Sequence, residues 1–317
     1  MEFRKIVVTG ARGFLGRHLV PVLAARYGPD RVVGVSRSDY DLMDAGEVRR
    51  MFAEHRPDAV VHLAAYVGGI GANREYPASF WYRNTLLTAL MFEAAAETGL
   101  SRLVYPMGGC SYPAKARSPI DEGQMWDGYP QPESAAYSVA KKMGLVAAAA
   151  YRKERGLRAV VTIPGNMYGE YDNFRVNESH VVPALIRRFW EAKASGAPTV
   201  TAWGTGKPTR DFVYAGDVAA CFPFFLEEYD STEPVNLSSG VCTSIRELTE
   251  TVKDLTEYPG EIVWDSTKPD GQMEKVFDVT RMKSLGLSCP TPLREGLART
   301  VAWFRANYDC RGDGIRV

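Results

Sequence analysis

Three glycines spaced three residues apart constrain the fold of this chain more than any other feature. They lie in the segment I-V-V-T-G-A-R-G-F-L-G, residues 6–16, where a β-branched run is followed at once by a helical pattern. Such a loop turns tightly and lets backbone N–H groups approach a pyrophosphate at the helix N-terminus. An ordinary glycine-rich turn is the alternative, but the strand before it and the helix after it favour a dinucleotide site. The residues that we predict to hold the cofactor here are Gly10, Arg12, Gly13, Phe14, Leu15 and Gly16.

Short apolar runs alternate with helical patterns through the first half of the chain. Near-continuous apolar strands separated by helices predict a parallel sheet covered on both faces, which is the Rossmann-type, doubly wound α/β fold. The predicted strands are 5–9, 31–35, 59–63, 103–106 and 159–163, and the predicted helices are 16–27, 45–55, 83–98 and 135–155.

The second half differs in composition, with longer predicted loops and more glycine, asparagine, proline and aromatic residues. Helical patterns remain at 181–194, 244–255 and 293–307. We expect a smaller C-terminal substrate lobe packed on the sheet. The predicted division gives residues 1–164 and 210–236 to an NADP-binding domain, and 165–209 and 237–317 to the substrate lobe.

Charge and cysteine usage exclude several classes of protein. The 317 residues carry 38 basic and 38 acidic side chains, so neither nucleic acid nor an acidic membrane is expected as a partner. Five cysteines without a C-x-x-C pair and four histidines without metal-binding spacing predict no disulfide framework and no metal site. No apolar run approaches the ~20 residues of a membrane span, and no signal peptide precedes the first strand. We therefore expect a cytoplasmic protein.

The end of the second predicted strand distinguishes NAD from NADP. An acidic side chain there binds the ribose 2′-OH, whereas a basic one accepts a 2′-phosphate. Arg37 stands at this point and Arg12 lies in the glycine loop, and a planar guanidinium suits a phosphate. Asp39 and Asp41 follow, and a solvent-facing Arg37 is the alternative. We predict NADP(H) as the cofactor.

Tyr137 and Lys141 lie four residues apart in the predicted helix 135–155. That spacing is about one helical turn, so both side chains project from one face. A cation beside a phenol favours the phenolate, so we expect Lys141 to lower the pKa of Tyr137. A tyrosine that exchanges a proton near neutral pH is what hydride transfer to or from a carbonyl needs. A solvated pair is the alternative, but together with the glycine loop the pair predicts a reductase of the short-chain dehydrogenase type.

Longer motifs resemble those of the GDP-L-fucose synthase family, extended short-chain dehydrogenases that act on nucleotide sugars. They follow one another in order along essentially the whole chain, and the D-N-F…S-H-V-x-P-A-L and K-P-D-G blocks are the most specific. The motifs are H-L-A-A at 62–65, V-G-G-I at 67–70, C-S-Y-P at 110–113, D-N-F at 172–174 with Asn177, S-H-V-V-P-A-L at 179–185, W-G-x-G at 203–206, R-D-F at 210–212, K-P-D-G at 268–271 and D-V-T-R at 278–281.

The resemblance implies an activity and a set of site residues. The family uses NADPH to convert GDP-4-keto-6-deoxy-D-mannose into GDP-L-fucose, inverting C3 and C5 and then reducing C4. By this resemblance Cys110 and His180 transfer protons at C3 and C5, Tyr137 protonates the C4 oxygen, and Lys141 keeps Tyr137 reactive and contacts the nicotinamide ribose. A homodimer formed through helices of the first domain is also implied. Further implied cofactor contacts are Asp41, Leu42, Ala64, Lys141 and His180. Candidate contacts of the nucleotide-sugar substrate are Arg188 and Arg210 for the phosphates, Trp203 for guanine, Asn166 and Lys283. Ion-paired arginines, a core tryptophan and a solvated lysine are the alternatives.

Gly108 departs from the family pattern, which has Ser or Thr at this position. The missing hydroxyl normally donates a hydrogen bond to the substrate carbonyl, and loss of such a donor in other enzymes costs about 2.7–4 kcal/mol. Three interpretations stay open: Ser111, Ser138 or a water replaces it, the substrate differs, or epimerisation is the main activity. A related nucleotide-sugar enzyme, such as a 4-epimerase that retains NAD⁺, and a cofactor-sensing protein on the same fold are the remaining alternatives.

Overall fold

The computed structural model describes residues 3–176, 178–268 and 270–308. The motif residues Asn177 and Pro269 and the chain from Asp309 onward, which includes Cys310, lie outside the described residues. The strands are β1 Ile6–Thr9, β2 Val32–Val35, β3 Ala59–His62, β4 Arg102–Pro106, β5 Ala159–Pro164, β6 Asn166–Tyr168, β7 Thr199–Trp203, β8 Thr209–Arg210, β9 Phe212–Tyr214, β10 Val235–Leu237, β11 Thr243–Ser244, β12 Glu261–Asp265 and β13 Glu274–Lys275. The α-helices are α1 Phe14–Tyr27, α2 Ala45–His55, α3 Ile70–Glu75, α4 Pro77–Glu97, α5 Ala135–Arg155, α6 Val181–Ser195, α7 Ala215–Glu227, α8 Ile245–Thr256, α9 Thr280–Ser284 and α10 Leu293–Asn307.

A six-stranded parallel sheet forms the centre of the molecule, in the order β10-β5-β4-β3-β1-β2. Strands β1, β3, β4 and β5 are almost entirely buried, as their β-branched and apolar residues predict. Their register places Thr9 opposite both Val35 and His62. Because parallel strands end at the same edge, the loops that follow β1, β3 and β4 meet there.

Helices cover both faces of this sheet. Helices α1 and α7 pack together on one face, with Leu19 and Phe222 in a shared apolar core. Helices α2, α4 and α5 cover the other face, where Met51 and Phe92 belong to a second core. The predicted doubly wound α/β fold is therefore confirmed.

The second half of the chain adds three small sheets and a third apolar core. Strand β12 pairs with β7, β8 lies between β11 and β13, and β6 pairs with β9. Helices α6, α8 and α10 contribute Phe189, Leu248 and Phe304 to the core beneath them. The chain between the small sheets supplies α7 and β10 to the central layer. The boundary between a cofactor domain and a substrate lobe stays a prediction.

The predicted secondary structure differs from the observed one mainly at the start of α4, which contains proline, and at α7, which is apolar on nearly all sides. Helix α4 begins at Pro77 rather than Arg83, because proline suits the first position of a helix. Helix α7 was not predicted as a helix, since it is apolar on nearly all sides and contains Pro223. Among the described residues, no helix combines the length and apolarity of a membrane span.

Candidate active site

Tyr137 and Lys141 occupy the first turns of α5, which packs against β5 and the turn after β4. Lys141 is 4% exposed, whereas Tyr137 keeps part of its surface accessible. The ring of Phe80 meets the Tyr137 ring edge-on, with centroids 6.3 Å apart. The predicted helical spacing therefore places both side chains at the edge of the sheet where the strands end.

Cys110 reaches the same point from a single 3-10 turn at Gly109–Ser111 that directly follows β4. Gly108 shows how close the groups are. A Cβ atom added there would lie 3.2 Å from Cys110 Sγ and 3.7 Å from the Tyr137 hydroxyl. Thiol and phenol therefore flank the volume that a side chain at position 108 would enter.

Burial dominates the electrostatics of this group. Burial raises the pKa of Tyr137 well above its ordinary value, and repulsion from an ionised Cys110 adds to the effect. Burial lowers the pKa of Lys141 to about 7, which the charge of Cys110 partly opposes. The expectation that the pKa of Tyr137 is lowered is therefore wrong for this structure, because burial of the phenol dominates and raises its pKa.

The two serines that could replace the missing hydroxyl are engaged elsewhere. Ser111 is fully buried and donates to the carbonyl of Ser138 at 3.1 Å. Ser138 is also fully buried, and its hydroxyl donates to Ser134 Oγ at 3.4 Å. The protein thus offers no replacement at either position, and Cys110 Sγ is the polar side-chain atom nearest to the gap.

Lys275 is a member of this group that the sequence analysis did not single out. It ends β13, which pairs with β8 so that Lys275 lies opposite Arg210. Burial lowers the pKa of Lys275, the charge of Cys110 raises it, and Arg210 lowers it again. The neighbouring Phe277 ring would collide with any side chain at Gly109, which brings this segment against the Cys110 turn. Only long-range strand pairing reveals Lys275, so no local spacing could have indicated it.

His180 is carried by another segment of the chain, and the described contacts do not join it to Cys110 or Tyr137. It is the N-cap residue of α6, at the end of the long connection 169–180 that follows β6. The connection reaches the loop after β3, where the Gly69 N–H donates to the Glu178 carbonyl at 3.0 Å. His180 is exposed at the start of α6.

The glycine loop fits a dinucleotide. Gly10 has φ +67°, and a Cβ there would lie 2.8 Å from the Ala64 N–H nitrogen. A Cβ at Gly16 would lie 2.5 Å from the Gly10 carbonyl oxygen, so the first helical turn can approach the loop only with glycine. Gly13 is the N-cap residue of α1 and carries no capping side chain. The helix N-terminus therefore keeps its N–H groups for a pyrophosphate.

The remaining predicted cofactor residues surround this loop to different depths. Arg37 is exposed, and Arg12 donates to Ser38 Oγ at 3.1 Å. The Asp39 carboxylate, just after β2, accepts hydrogen bonds from the Ser36 N–H and hydroxyl at 2.8 and 2.7 Å. The Asp39 side chain is therefore already engaged within its own loop. Of the other predicted residues, Phe14, Asp41 and Ala64 are half-buried, whereas Leu15 and Leu42 are buried in the core.

The predicted substrate residues lie mostly in the second half. Trp203 is 66% exposed at the end of β7, with the Lys268 ammonium 5.8 Å from its ring centroid. Arg188 is exposed and donates to the Thr201 carbonyl at 2.9 Å. Arg210 donates to the carbonyls of Thr209 and Gln272, both at 2.7 Å.

Asn166 and Lys283 complete the predicted substrate set. Asn166 donates its amide to the Asp211 carbonyl at 2.9 Å, which places it beside β9. Lys283 is exposed on α9, where its positive charge helps to lower the pKa of Asp278. The described contacts do not join Lys283 to Cys110 or Tyr137. In the described part of the chain, no three His, Cys, Asp or Glu side chains are grouped to hold a metal ion.

Comparisons with known proteins agree with this architecture. The model of the NAD dependent epimerase/dehydratase family matches residues 6–238. A probable GDP-L-fucose synthase 1 of Oryza sativa subsp. japonica is 40% identical over 308 residues, which cover 96% of this chain and 92% of the relative. The GDP-L-fucose synthase of Escherichia coli K12 is 36% identical over 318 residues and is covered to 99%. A crystal structure of a GDP-L-fucose synthetase from Naegleria fowleri bound to NADP superposes with a TM-score of 0.91, at 29% identity, covering 97% of this chain and 94% of that one. The chain therefore belongs to the NAD dependent epimerase/dehydratase family and, within it, to the GDP-L-fucose synthases.

Proposed function

We propose that this chain is an NADPH-dependent epimerase-reductase that converts GDP-4-keto-6-deoxy-D-mannose into GDP-L-fucose. The observation that carries the proposal is the approach of Cys110 Sγ and the Tyr137 hydroxyl to one point above Gly108, beside Lys141. A thiol and a phenol at one point provide the two kinds of proton transfer that epimerisation and reduction require. The names of the relatives and the NADP-bound neighbour support this substrate and this cofactor.

Epimerisation begins with the acidity that the C4 ketone gives to the C–H bonds at C3 and C5. A base removes one of these protons to give an enolate, and an acid on the opposite face returns a proton to invert the carbon. Cys110 and His180 are the proposed pair, because they belong to different segments, the turn after β4 and the N-terminus of α6. Cysteine and histidine both exchange protons near neutral pH.

Reduction at C4 follows epimerisation. NADPH, held by the glycine loop, Arg12 and Arg37, supplies the hydride when bound. Tyr137 donates its proton to the C4 oxygen, which suits a phenol that burial keeps protonated. Lys141 stabilises the resulting phenolate through its positive charge, and this role ends when the ammonium loses its proton.

Gly108 leaves the C4 oxygen with one side-chain hydroxyl fewer than in the family pattern. Since Ser111 and Ser138 donate elsewhere, the protein supplies Tyr137 and the Cys110 thiol at this point. A thiol is a weaker donor than a hydroxyl. We therefore propose that reduction is slow relative to epimerisation.

The nucleotide part of the substrate is proposed to lie on the second half of the chain. Trp203 offers an exposed face for guanine, and Lys268 and Arg188 supply positive charge nearby. Arg210 is directed by its two carbonyl partners and lies beside Lys275, so both cations are proposed to face the diphosphate or the sugar. Asn166 is proposed as a sugar contact.

We further infer a cytoplasmic homodimer. Helices α4 and α5 pack side by side, and their outer surfaces expose Trp81, Tyr82, Met143 and Val146. Met143 and Val146 are three residues apart and share one face of α5. An exposed apolar surface of this kind is typical of an interface.

Incubation with GDP-4-keto-6-deoxymannose and NADPH in D₂O tests the function in one experiment. We expect deuterium at C3 and C5 in the product, together with oxidation of NADPH, as seen by mass spectrometry and NMR. Loss of both signals would refute the proposal. Deuterium without NADPH oxidation would leave an epimerase, and a copurified NAD⁺ with no net NADPH use would indicate a 4-epimerase.

A further inference from the structure

The ring of Tyr105 lies directly beneath the ammonium of Lys141. Tyr105 belongs to β4 and is fully buried, and the Lys141 Nζ atom is 4.0 Å from its ring centroid. In the described part of the chain, no carboxylate forms an ion pair with Lys141. A cation over the face of an aromatic ring is attracted by the ring quadrupole, most strongly where water is excluded.

Two neighbours hold the Tyr105 ring in this position. The Tyr105 hydroxyl lies 2.8 Å from Thr88 Oγ1, and Thr88 donates its own hydrogen to the Asn84 carbonyl. Thr88 therefore accepts from Tyr105, and the Lys141 carbonyl at 3.4 Å is a second, longer acceptor of the same hydrogen. The Tyr105 hydroxyl thus bonds to Thr88 of α4 and to the backbone of Lys141, the residue whose ammonium lies over the Tyr105 ring.

Gly144 explains how the ring can approach α5 so closely. A Cβ atom at this position would overlap Cε1 of Tyr105 and would lie 2.7 Å from its Cδ1 atom. Glycine inside a helix costs roughly 1 kcal/mol relative to alanine, so its presence needs a reason. Close packing of Tyr105 against the helix, one turn from Lys141, provides it.

None of the neighbouring titratable groups His62, Cys110 and Tyr137 carries a permanent negative charge that would stabilise the Lys141 ammonium. His62 in β3 is fully buried and stacks on Tyr105 at 6.1 Å. Burial and the charge of Lys141 lower the pKa of His62 to about 3, so His62 is neutral. Cys110 attracts the ammonium only when ionised, and the pKa of Tyr137 is raised, so the phenol is neutral.

We propose that Tyr105 is a positioning residue for Lys141: its ring face keeps the buried ammonium charged and fixed beside Tyr137. This inference rests on the proposed function, in which Lys141 stabilises the phenolate. It predicts that weakening the ring quadrupole, without changing the shape of the side chain, makes Lys141 lose its proton at lower pH.

The test follows the Lys141 titration directly. Lysine is labelled with ¹³C at the ε carbon, and the Lys141 signal is assigned with a Lys141→Arg variant. Titrations compare the unmodified protein with three variants: Tyr105→Phe, Tyr105→pentafluorophenylalanine and Phe92→Leu. Phe92 packs on Tyr105 with centroids 5.6 Å apart and is the matched core control. Rates of NADPH-dependent reduction are measured across the same pH range.

The expected pKa of Lys141 is about 7 in the unmodified protein. We expect little change in Tyr105→Phe and Phe92→Leu, and a fall of about one pKa unit when the ring is fluorinated. The alkaline limb of the reduction profile should move by the same amount. An unchanged Lys141 titration in the folded fluorinated protein, or an equal fall in Phe92→Leu, would overturn the proposal. If the unmodified protein reduces no substrate, the proposed function fails, while the titration still decides the role of Tyr105.

Discussion

The two walls of the candidate site are built in opposite ways. Tyr137 and Lys141 stand on a long helix packed on the central sheet, and the supporting residues Tyr105 and Gly144 fit against one another closely. His180 follows an irregular connection that includes Tyr171 at φ +66° and the buried Asp172. A non-glycine residue in the left-handed region and a buried acid both cost free energy. The first wall is therefore held by close packing. The second keeps its geometry despite the free-energy cost of the Tyr171 backbone conformation and of burying Asp172.

Reduction and epimerisation draw on these walls differently. The helix wall carries the acid for reduction, and the connection 169–180 carries one of the two groups proposed for epimerisation. Because Cys110 also belongs to the helix wall, we expect removal of the Tyr137 hydroxyl, rather than any change on that wall, to affect reduction far more than epimerisation.

Tyr137→Phe should have the largest effect. It removes the proton donor for the C4 oxygen, and general acid catalysis contributes typically 10²–10⁴-fold. We expect NADPH oxidation to fall by roughly that factor, while deuterium still enters C3 and C5 of the recovered 4-keto sugar. The control is Tyr129→Phe, since Tyr129 is 67% exposed. A parallel loss of exchange and reduction would contradict a role of the Tyr137 hydroxyl in reduction alone.

The same contrast explains what could be predicted from the sequence. Tyr137 and Lys141 could be found because a four-residue spacing on a helix is a local property, and the glycine loop could be found for the same reason. The fold followed from the alternation of apolar strands and helices. The absence of a hydroxyl at position 108 could also be predicted, because the sequence itself shows glycine there.

Lys275 and Tyr105 could not be predicted in this way. Lys275 joins the site because β13 pairs with β8, and Tyr105 reads as an ordinary residue of a buried strand until α5 is placed across it. The direction of the Tyr137 pKa was predicted wrongly for a related reason. Helical spacing shows that a cation is near, but it does not show how much water the fold removes.

Asp172→Asn should reveal the strain in the second wall. Asp172 Oδ1 accepts from the Asn173 N–H, and Oδ2 is buried without a hydrogen-bond partner. Burial raises the pKa of Asp172 to about 7 from 3.8. The folded state therefore binds this proton more tightly than the unfolded chain, so its stabilising contribution is complete below pH 3.8 and is lost as pH rises through about 7.

Asparagine keeps the acceptor and has no charge to desolvate. We expect Asp172→Asn to raise the free energy of unfolding by about 2–4 kcal/mol at pH 8 and to change it little at pH 4. Urea denaturation at the two pH values measures this, with exposed Asp127→Asn as the control. Equal stability of variant and parent at pH 8 would contradict a strained second wall.

Gly108→Ser and Gly108→Ala test whether the helix wall lacks a hydroxyl. Both add a Cβ atom 3.2 Å from Cys110 Sγ, so both require the thiol to move by a few tenths of an ångström. Only serine adds a donor beside Tyr137. We expect C4 reduction in the serine variant to exceed that in the alanine variant by about 10²–10³-fold, with similar deuterium exchange in both. Equal reduction rates would mean that another donor already serves the C4 oxygen.

Trp203→Ala should have the smallest effect, because Trp203 ends β7 and is proposed to contact the base rather than the reacting sugar. The exposed Trp203 ring lies near Lys268, whereas Trp126 is 59% exposed beside Lys142, 4.9 Å from its ring, and gives a matched control. Loss of ring stacking is worth ~0.5–1.5 kcal/mol, so we expect KM for the nucleotide sugar to rise about 2–12-fold with kcat unchanged. Steady-state kinetics of Trp203→Ala and Trp126→Ala measure this directly. A fall in kcat without a change in KM would place Trp203 in the chemistry of the sugar rather than in binding of the base, because uniform binding energy affects KM alone.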